Sequence, residues 1–412
     1  MLGRSTSYTA RGLTTPRPGV FSGRRPRSLL ARAFARNSPL RHMDWLLIVV
    51  VLGLSAIGTL LVWSATQPSL LAAGQDPRTY LKKQLLNVTI GLVLMAGVSF
   101  VDTRQLRTWA PVFYIATLLG LLAVLSPIGS EINGARAWIS LPSGFQVEPS
   151  EFAKVALVVV TAMIFSQVRS RAPGTHGRPG VRSLLIALAC AAPLIGLVVI
   201  EPALGVALVL VVVTATMIVV SGLRLRIIAG LAALVAVTIA AAGGLHLLKS
   251  YQLTRFTSFL HPSADLAGAG YNAAQAKIAV GSGGMFGQGL FHGQLVAGNF
   301  VPSQQTDFIF TVAGEELGFV GTIVIVFLLG VVIVRALRIA TRADDLFGLL
   351  VASGIAMWFA FQSFVNIGMT IGIMPITGLP LPFVSYGGSA VFADMIAIGL
   401  LQSVHRRRTV FD

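Results

Sequence analysis

From residue 45 onward the chain returns repeatedly to apolar stretches of about 18 residues or more, each long enough to cross a hydrocarbon core of about 30 Å as a helix. The stretches are continuously apolar. They do not alternate polar with apolar residues as membrane-barrel strands do, so helices are the spans open to them. Composition agrees: of 412 residues, 55% are hydrophobic and 11% charged, where a water-soluble domain carries about a quarter charged residues. The pattern predicts an all-α polytopic membrane protein with about ten transmembrane helices. The expected spans are 45–66, 84–101, 111–128, 151–167, 183–200, 203–221, 227–247, 308–335, 346–370 and 383–402. The single cysteine, Cys190, lies inside one of these runs, permits no internal disulfide and reads as a small core residue.

Charge orients the spans. With the N-terminus taken as inside, Lys and Arg number 23 on the inner segments and 7 on the outer ones, with Lys154 inside a span. A bias that alternates loop by loop follows the positive-inside rule. Both termini are therefore expected in the cytoplasm, with a large extracytoplasmic loop, 248–307, between helices 7 and 8. The net charge of +16 is accounted for by orientation and by contact with anionic lipid, so no nucleic acid is expected as a partner. Residues 1–43 hold nine Arg and no acid and are expected to be a disordered basic cytoplasmic arm. The apolar run that follows is too long for the h-region of a cleaved signal peptide. The transmembrane domain is expected over 44–408.

The remaining ionisable residues collect in the outer half of the membrane. Asp307 stands where the polar run "FVPSQQT" meets span eight, and Glu315 and Glu316 follow about 12–14 Å further in along a helix axis. Glu151 and Lys154, at i and i+3, share a face at the outer start of span four. Arg136 and Glu148 lie in the preceding loop, and Glu201 at the outer end of span five. Ionisable groups at membrane depth face a polar cavity or a partner, so acids and cations at one level point to a cavity open to the outside. Plainer roles fit the same residues. Glu151–Lys154 suits a structural ion pair. Asp307 or Thr306 suits the N-cap of span eight. Glu315 and Glu316 suit packing anchors. Asp394 in span ten is the one deep acid outside the pattern. The glycine-rich "AVGSGGMFGQGLFHG" (279–293) lacks the strand and GK[ST] of a nucleotide loop and reads as a tight re-entrant or surface turn. His261 and His292 are too isolated to argue a metal site. A one-sided cavity of this kind suits an enzyme acting on a lipid-linked substrate better than a transporter, whose polar groups gather near the midplane. A scaffold is the third class.

Several stretches together resemble one family, the SEDS proteins of bacterial cell-wall synthesis. They are "NGARAWI" (133–139), "EPSEFAKVAL" (148–157), "AQAKIAVGSGGMFGQGLFHG" (274–293), "TDFIFTVAGEELGFVG" (306–321) and "GIMPITGLPLPFVSYGGSA" (372–390). "AKIAVGSGG" and "MPITGLPLPFVSYGG" look like the elongation branch rather than the division branch. The resemblance implies a peptidoglycan glycosyltransferase in the bacterial plasma membrane that polymerises lipid II by inverting displacement of undecaprenyl diphosphate. It implies Asp307 as general base and Arg136, Lys154 and Lys277 as cations for the diphosphate. Glu151 is expected to hold Lys154, and Glu315 and Glu316 to support the cavity. It implies a class B penicillin-binding transpeptidase and other elongation-complex proteins as partners. No cofactor is certain. A divalent cation, Mg or Mn, suits a diphosphate leaving group, though no ligand set is evident. The alternative readings are a lipid II flippase and a non-catalytic scaffold that activates the transpeptidase. Three stretches depart from the family pattern. Glu148 stands where Gln is frequent, Ala203 where Asp is frequent, with Glu201 as a possible substitute, and Ser303 where Glu is frequent.

Overall fold

The computed structural model describes residues 42–132, 135–140, 146–170, 179–231, 233 and 269–411. Among these, eight helices are long and apolar enough to cross a membrane, and one shorter apolar helix joins them. In chain order the membrane helices are α1 (Trp45–Ala72), α2 (Thr79–Phe100), α3 (Thr103–Leu125), α4 (Pro149–Ser170), α5 (Val181–Ile200) and the short α6 (Leu204–Val220). Within the 248–307 loop lie α7 (Ala269–Ser282) and α8 (Gln294–Ala297), and after it come α9 (Ile309–Thr341), α10 (Leu346–Ile371) and α11 (Gly388–Phe411). Of the expected span 227–247, residues 227–231 and 233 are helical and the rest lie outside the described residues. So do residues 1–41 of the arm, Arg255 and His261.

Ends differ from expectation for local reasons. The first span runs on to Ala72 with Pro68 inside it. The third starts at Thr103 rather than 111, because Asp102 and Gln105 close a capping box there, which satisfies two orphan backbone donors. The last starts at Gly388, since the prolines and Phe383 before it (φ 64°) cannot continue a helix. The outer loop before α4 is not helical. It forms a three-stranded antiparallel sheet of β1 (Gly129–Ile132), β2 (Ala135–Ser140) and β3 (Gln146–Val147), with a bulge at Ser130/Glu131.

Helix α4 is the centre of the bundle, packed against α3, α5, α6, α10 and α11. Its residues Ala153 to Val160 are buried. Pairs α11–α2, α9–α10 and α10–α6 surround it. At the end of the bundle that carries the N-terminus of α1, ion pairs tie Asp44 to Arg335 (2.6 Å) and Asp345 to both Arg107 (3.2 Å) and Arg407 (2.9 Å).

Helix α9 is broken. Gly318 (φ 68°, ψ −165°) interrupts it about 14 Å from its start. The break opens the backbone to the glycine-rich loop. Gln288 and Gly289 donate to the carbonyls of Glu315 and Glu316 (2.9 and 3.0 Å). Phe319 and Val320 donate to those of Gly284 and Met285 (2.9 and 3.1 Å). The backbone of residues 284–289 thus supplies partners for the groups that α9 leaves open at its break, as non-helical backbone within an apolar bundle requires. A side chain at Gly318 would overlap the backbone of Phe286 and Gly287, and its φ/ψ belongs to a region reached essentially by glycine alone. Gly318→Ala is therefore expected to lower the melting temperature of the purified protein by several degrees. Gly330→Ala, where a Cβ meets open space on the same helix, is expected to leave it unchanged. Equal melting temperatures for the two variants would contradict a strained break.

Candidate active site at the outer face

Asp307 is half-buried in the turn that precedes α9. The N-cap of that helix falls on Phe308, with no side-chain cap, so neither Asp307 nor Thr306 occupies the capping position that its sequence allowed. What fixes this turn is the loop before α11. Asn366 on α10 donates from Nδ2 to the carbonyl of Asp307 (2.8 Å) and to that of Leu379 (2.7 Å). Ser385 donates to the carbonyl of Thr306 (2.6 Å), and the Tyr386 N–H to that of Gln305 (2.9 Å). Gly378, at φ 73°, places bare backbone beside the carboxylate: a Cβ there would stand 3.5 Å from Oδ2 of Asp307.

One helical turn before Asn366, Gln362 reaches the other half of the site. Its Nε2 donates to the carbonyl of Pro380 (2.8 Å). Its Oε1 accepts from Lys154 Nζ (2.9 Å) and from Trp358 Nε1 (2.7 Å). Lys154 also donates to Glu151 Oε2 (2.8 Å) and lies 4.7 Å from the centre of the Trp358 ring, a cation–π distance. Lys154 is 0% exposed and Glu151 2%. Glu151 and Lys154 thus form a buried i, i+3 ion pair. The lysine presents no atom to the outer face in this conformation.

Two further acids crowd the same end of α4. Glu148 accepts from Ser150 (2.8 Å), and its own N–H donates to Ser389 (2.8 Å). Burial, then the charge of Glu151, pushes its carboxyl up to about 7, with Asp307 near enough to contribute. Glu201, in the turn after α5, has no hydrogen-bond partner on either carboxyl oxygen among the described residues. Burial, then Glu148, pushes it up to about 8, because the charged form loses most on leaving water. Asp394 supports the loop: its Oδ2 accepts from the Phe383 N–H (3.3 Å) at the positive-φ residue.

The structure thus gathers Asp307, Glu148, Glu151 and Lys154 around the α10 amides. Arg136 is exposed on β2, opposite Glu131. Lys277 is exposed on α7, its chain lying against Gly372 at the C-terminus of α10, where the helix dipole favours a cation. Glu315 and Glu316 tie α9 to α8 and to α1. Glu315 accepts from the N–H groups of Leu295 (2.7 Å) and Val296 (3.1 Å), and Glu316 from Ser64. Gln362, Asn366 and Ser385 were not anticipated. The available signal was two amides, i and i+4, inside an otherwise apolar span.

The cell cycle protein family of FtsW, RodA and SpoVE matches residues 44–410. A relative named probable peptidoglycan glycosyltransferase FtsW, from Trichlorobacter lovleyi, is 37% identical over 368 residues, covering 89% of this chain and 93% of that protein. A solved chain from work on the structural coordination of polymerization and crosslinking by a peptidoglycan synthase complex is 32% identical with a TM-score of 0.72, covering 89% of this chain and 98% of that one. The crystal structure of the rod shape determining protein RodA of Thermus thermophilus is 31% identical with a TM-score of 0.63, covering 89% and 97%. With nearly its whole helical body matched, the chain belongs to the FtsW/RodA/SpoVE family, the SEDS proteins whose motifs its sequence carries.

Proposed function

We propose that the chain is a peptidoglycan glycosyltransferase that polymerises lipid II at the outer face of the bacterial plasma membrane, in the elongation branch of its family. The relative named as such a transferase and the motifs of the outer half support the activity. The stretches "AKIAVGSGG" and "MPITGLPLPFVSYGG" support the branch. The observation that carries the mechanism is the setting of Asp307. Its backbone is clamped by Asn366, the next helix starts only after Phe308 and without a side-chain cap, and glycine backbone flanks its carboxylate.

In this reading Asp307 takes the proton from the 4-hydroxyl of the acceptor sugar as that oxygen bonds to the anomeric carbon of the donor. The bond from that carbon to the diphosphate breaks, and undecaprenyl diphosphate leaves with the electron pair. A single displacement turns an α donor linkage into a β product. Arg136 and Lys277, exposed at the outer side, are the cations that meet the diphosphate. Lys154 supports the site from within, through Gln362 and Pro380. Among the described residues no group of three or more His, Cys, Asp or Glu is placed to hold a metal ion. Glu201, whose carboxyl burial pushes up to about 8, is assigned a supporting role. The synthase complex named above favours a crosslinking partner, here a class B penicillin-binding transpeptidase within a set of elongation-complex proteins.

Purified protein mixed with its transpeptidase and labelled lipid II tests the activity. Asp307→Asn is expected to lower polymerisation by at least about 10²-fold, the contribution of a general base, while partner binding is retained. Full activity in that variant would remove Asp307 from the mechanism. Asn366→Ala is expected to lower kcat by roughly tenfold to a hundredfold while KM stays within about twofold, because it displaces a reacting group rather than a binding contact. A change confined to KM would argue against positioning. Glu201 carries a raised folded pKa, so the native state holds a proton that the unfolded state loses above its ordinary value of 4.5. Its contribution to stability therefore falls as pH rises toward about 8. Glu201→Gln is expected to raise the melting temperature more at pH 8 than at pH 5.5, and an equal effect at both would contradict the raised pKa.

A further inference from the structure

One short stretch, 385–389, ties two acids of the outer site together. Ser385 donates to the carbonyl of Thr306 (2.6 Å) and the Tyr386 N–H to that of Gln305 (2.9 Å), in the turn that carries Asp307. Ser389 accepts the N–H of Glu148 (2.8 Å). Glu148 stands at the N-terminus of α4, where its carbonyl accepts from the Glu151 N–H (3.3 Å). Its half-buried carboxyl folds back on Ser150, whose hydroxyl donates to Oε1 (2.8 Å). Glu148 and the Asp307 turn are therefore held by the same segment, close enough for the charge of Asp307 to act on Glu148.

Around Glu148 lie Glu151 and Lys154 on α4, Asp307 from the turn before α9 and Glu201 from the turn after α5. Strand β2, paired with β3, carries Arg136, which is exposed. Asp394 on α11 faces Glu151 and Lys154. Glu151 and Lys154 offset each other as an ion pair (2.8 Å). Glu201 is acted on by Glu148, and Glu148 by Asp307. Burial and then Glu151 push the Glu148 carboxyl up to about 7, so its charge changes near neutral pH. A like charge nearby strengthens the hold of a carboxylate on a proton, and the interaction is mutual. We propose that Glu148 is a positioning residue for the transfer reaction, whose negative charge beside Asp307 makes that carboxylate a stronger base for the acceptor hydroxyl. This role rests on the reading of Asp307 as the base. A general base gains as its proton affinity rises toward the working pH, so polymerisation speeds up as Glu148 loses its proton. A glutamine at 148, frequent in the family, would accept the same bond from Ser150 and carry no charge.

The test uses the full-length protein with its transpeptidase and labelled lipid II, and reads kcat and KM between about pH 5.5 and 8.5. Dividing the wild-type values by those of Glu148→Gln at each pH removes the pH dependence that substrate and partner bring to both. The kcat ratio is expected to rise by roughly twofold to fivefold across the range, as a one-proton step centred at about 7, while the KM ratio stays level. A flat or falling kcat ratio overturns the proposal. Ser150→Ala removes the hydroxyl that favours the charged form of Glu148. It is expected to move the step in the kcat profile to higher pH than in the wild type, a comparison that needs no Glu148 variant. A step that stays in place overturns Glu148 as its source. Asp307→Asn, assayed alongside at pH 8, separates the two readings. An inactive Asp307→Asn with a flat ratio removes the role of Glu148 alone, whereas an active one removes the base and that role with it.

Discussion

The outer half of the protein depends on one buried ion pair. Lys154 and Glu151 lie on the most enclosed helix of the bundle, and neither reaches water. Two charges taken out of water cost several kcal/mol each unless their geometry and remaining hydrogen bonds are good. Here both conditions are met: the lysine has a carboxylate, an amide oxygen and an indole face around it. The amide that completes its shell belongs to Gln362, which spends its other end on Pro380. A local electrostatic requirement on α4 therefore fixes a backbone position in the loop before α11.

That loop carries the constraint to the surface. Gln362 and Asn366 lie one turn apart on α10 and hold neighbouring carbonyls of the loop, Pro380 and Leu379, while Asn366 also holds Asp307. Ser385 and Tyr386 add bonds to the two residues before Asp307. Positioning of this kind reduces the motion a reacting group must give up during reaction. On the other side of Asp307, Glu315 and Glu316 tie the broken α9 to α8 and α1. The turn before α9 thus sits between two braced loops, which gives the acidic residues deeper in the helix a structural task distinct from that of Asp307.

Much of this was legible in the sequence because a bilayer imposes a simple rule. A spanning segment must be long, apolar and internally bonded, so α1 to α6 and α9 to α11 show in the sequence. The pairing of Glu151 with Lys154 follows from helix spacing. Asp307 stood out as a carboxylate at the border of an apolar run. The break at Gly318 was not legible, since glycine is common in membrane helices and only the partner loop shows that its helix bonds are exchanged. The strands at 129–147 are too short to show a period. Gln362, Asn366 and Ser385 carry no charge and so were passed over, although two amides on one face of an apolar helix must find partners. The partner of Asp394, the Phe383 N–H eleven residues before it, depends on a positive-φ turn that sequence does not show.

The dependence on the ion pair is tested most directly by a double-mutant cycle on melting temperature, with Glu151→Gln, Lys154→Met and the two combined. Removing one partner leaves an uncompensated buried charge, at a cost of about 3–5 kcal/mol, whereas replacing both is far milder. The account predicts that each single variant melts well below the wild type and that the double variant melts above both. Strictly additive losses would contradict it, and would mean that Lys154 and Glu151 act separately rather than as the pair on which the outer site is built.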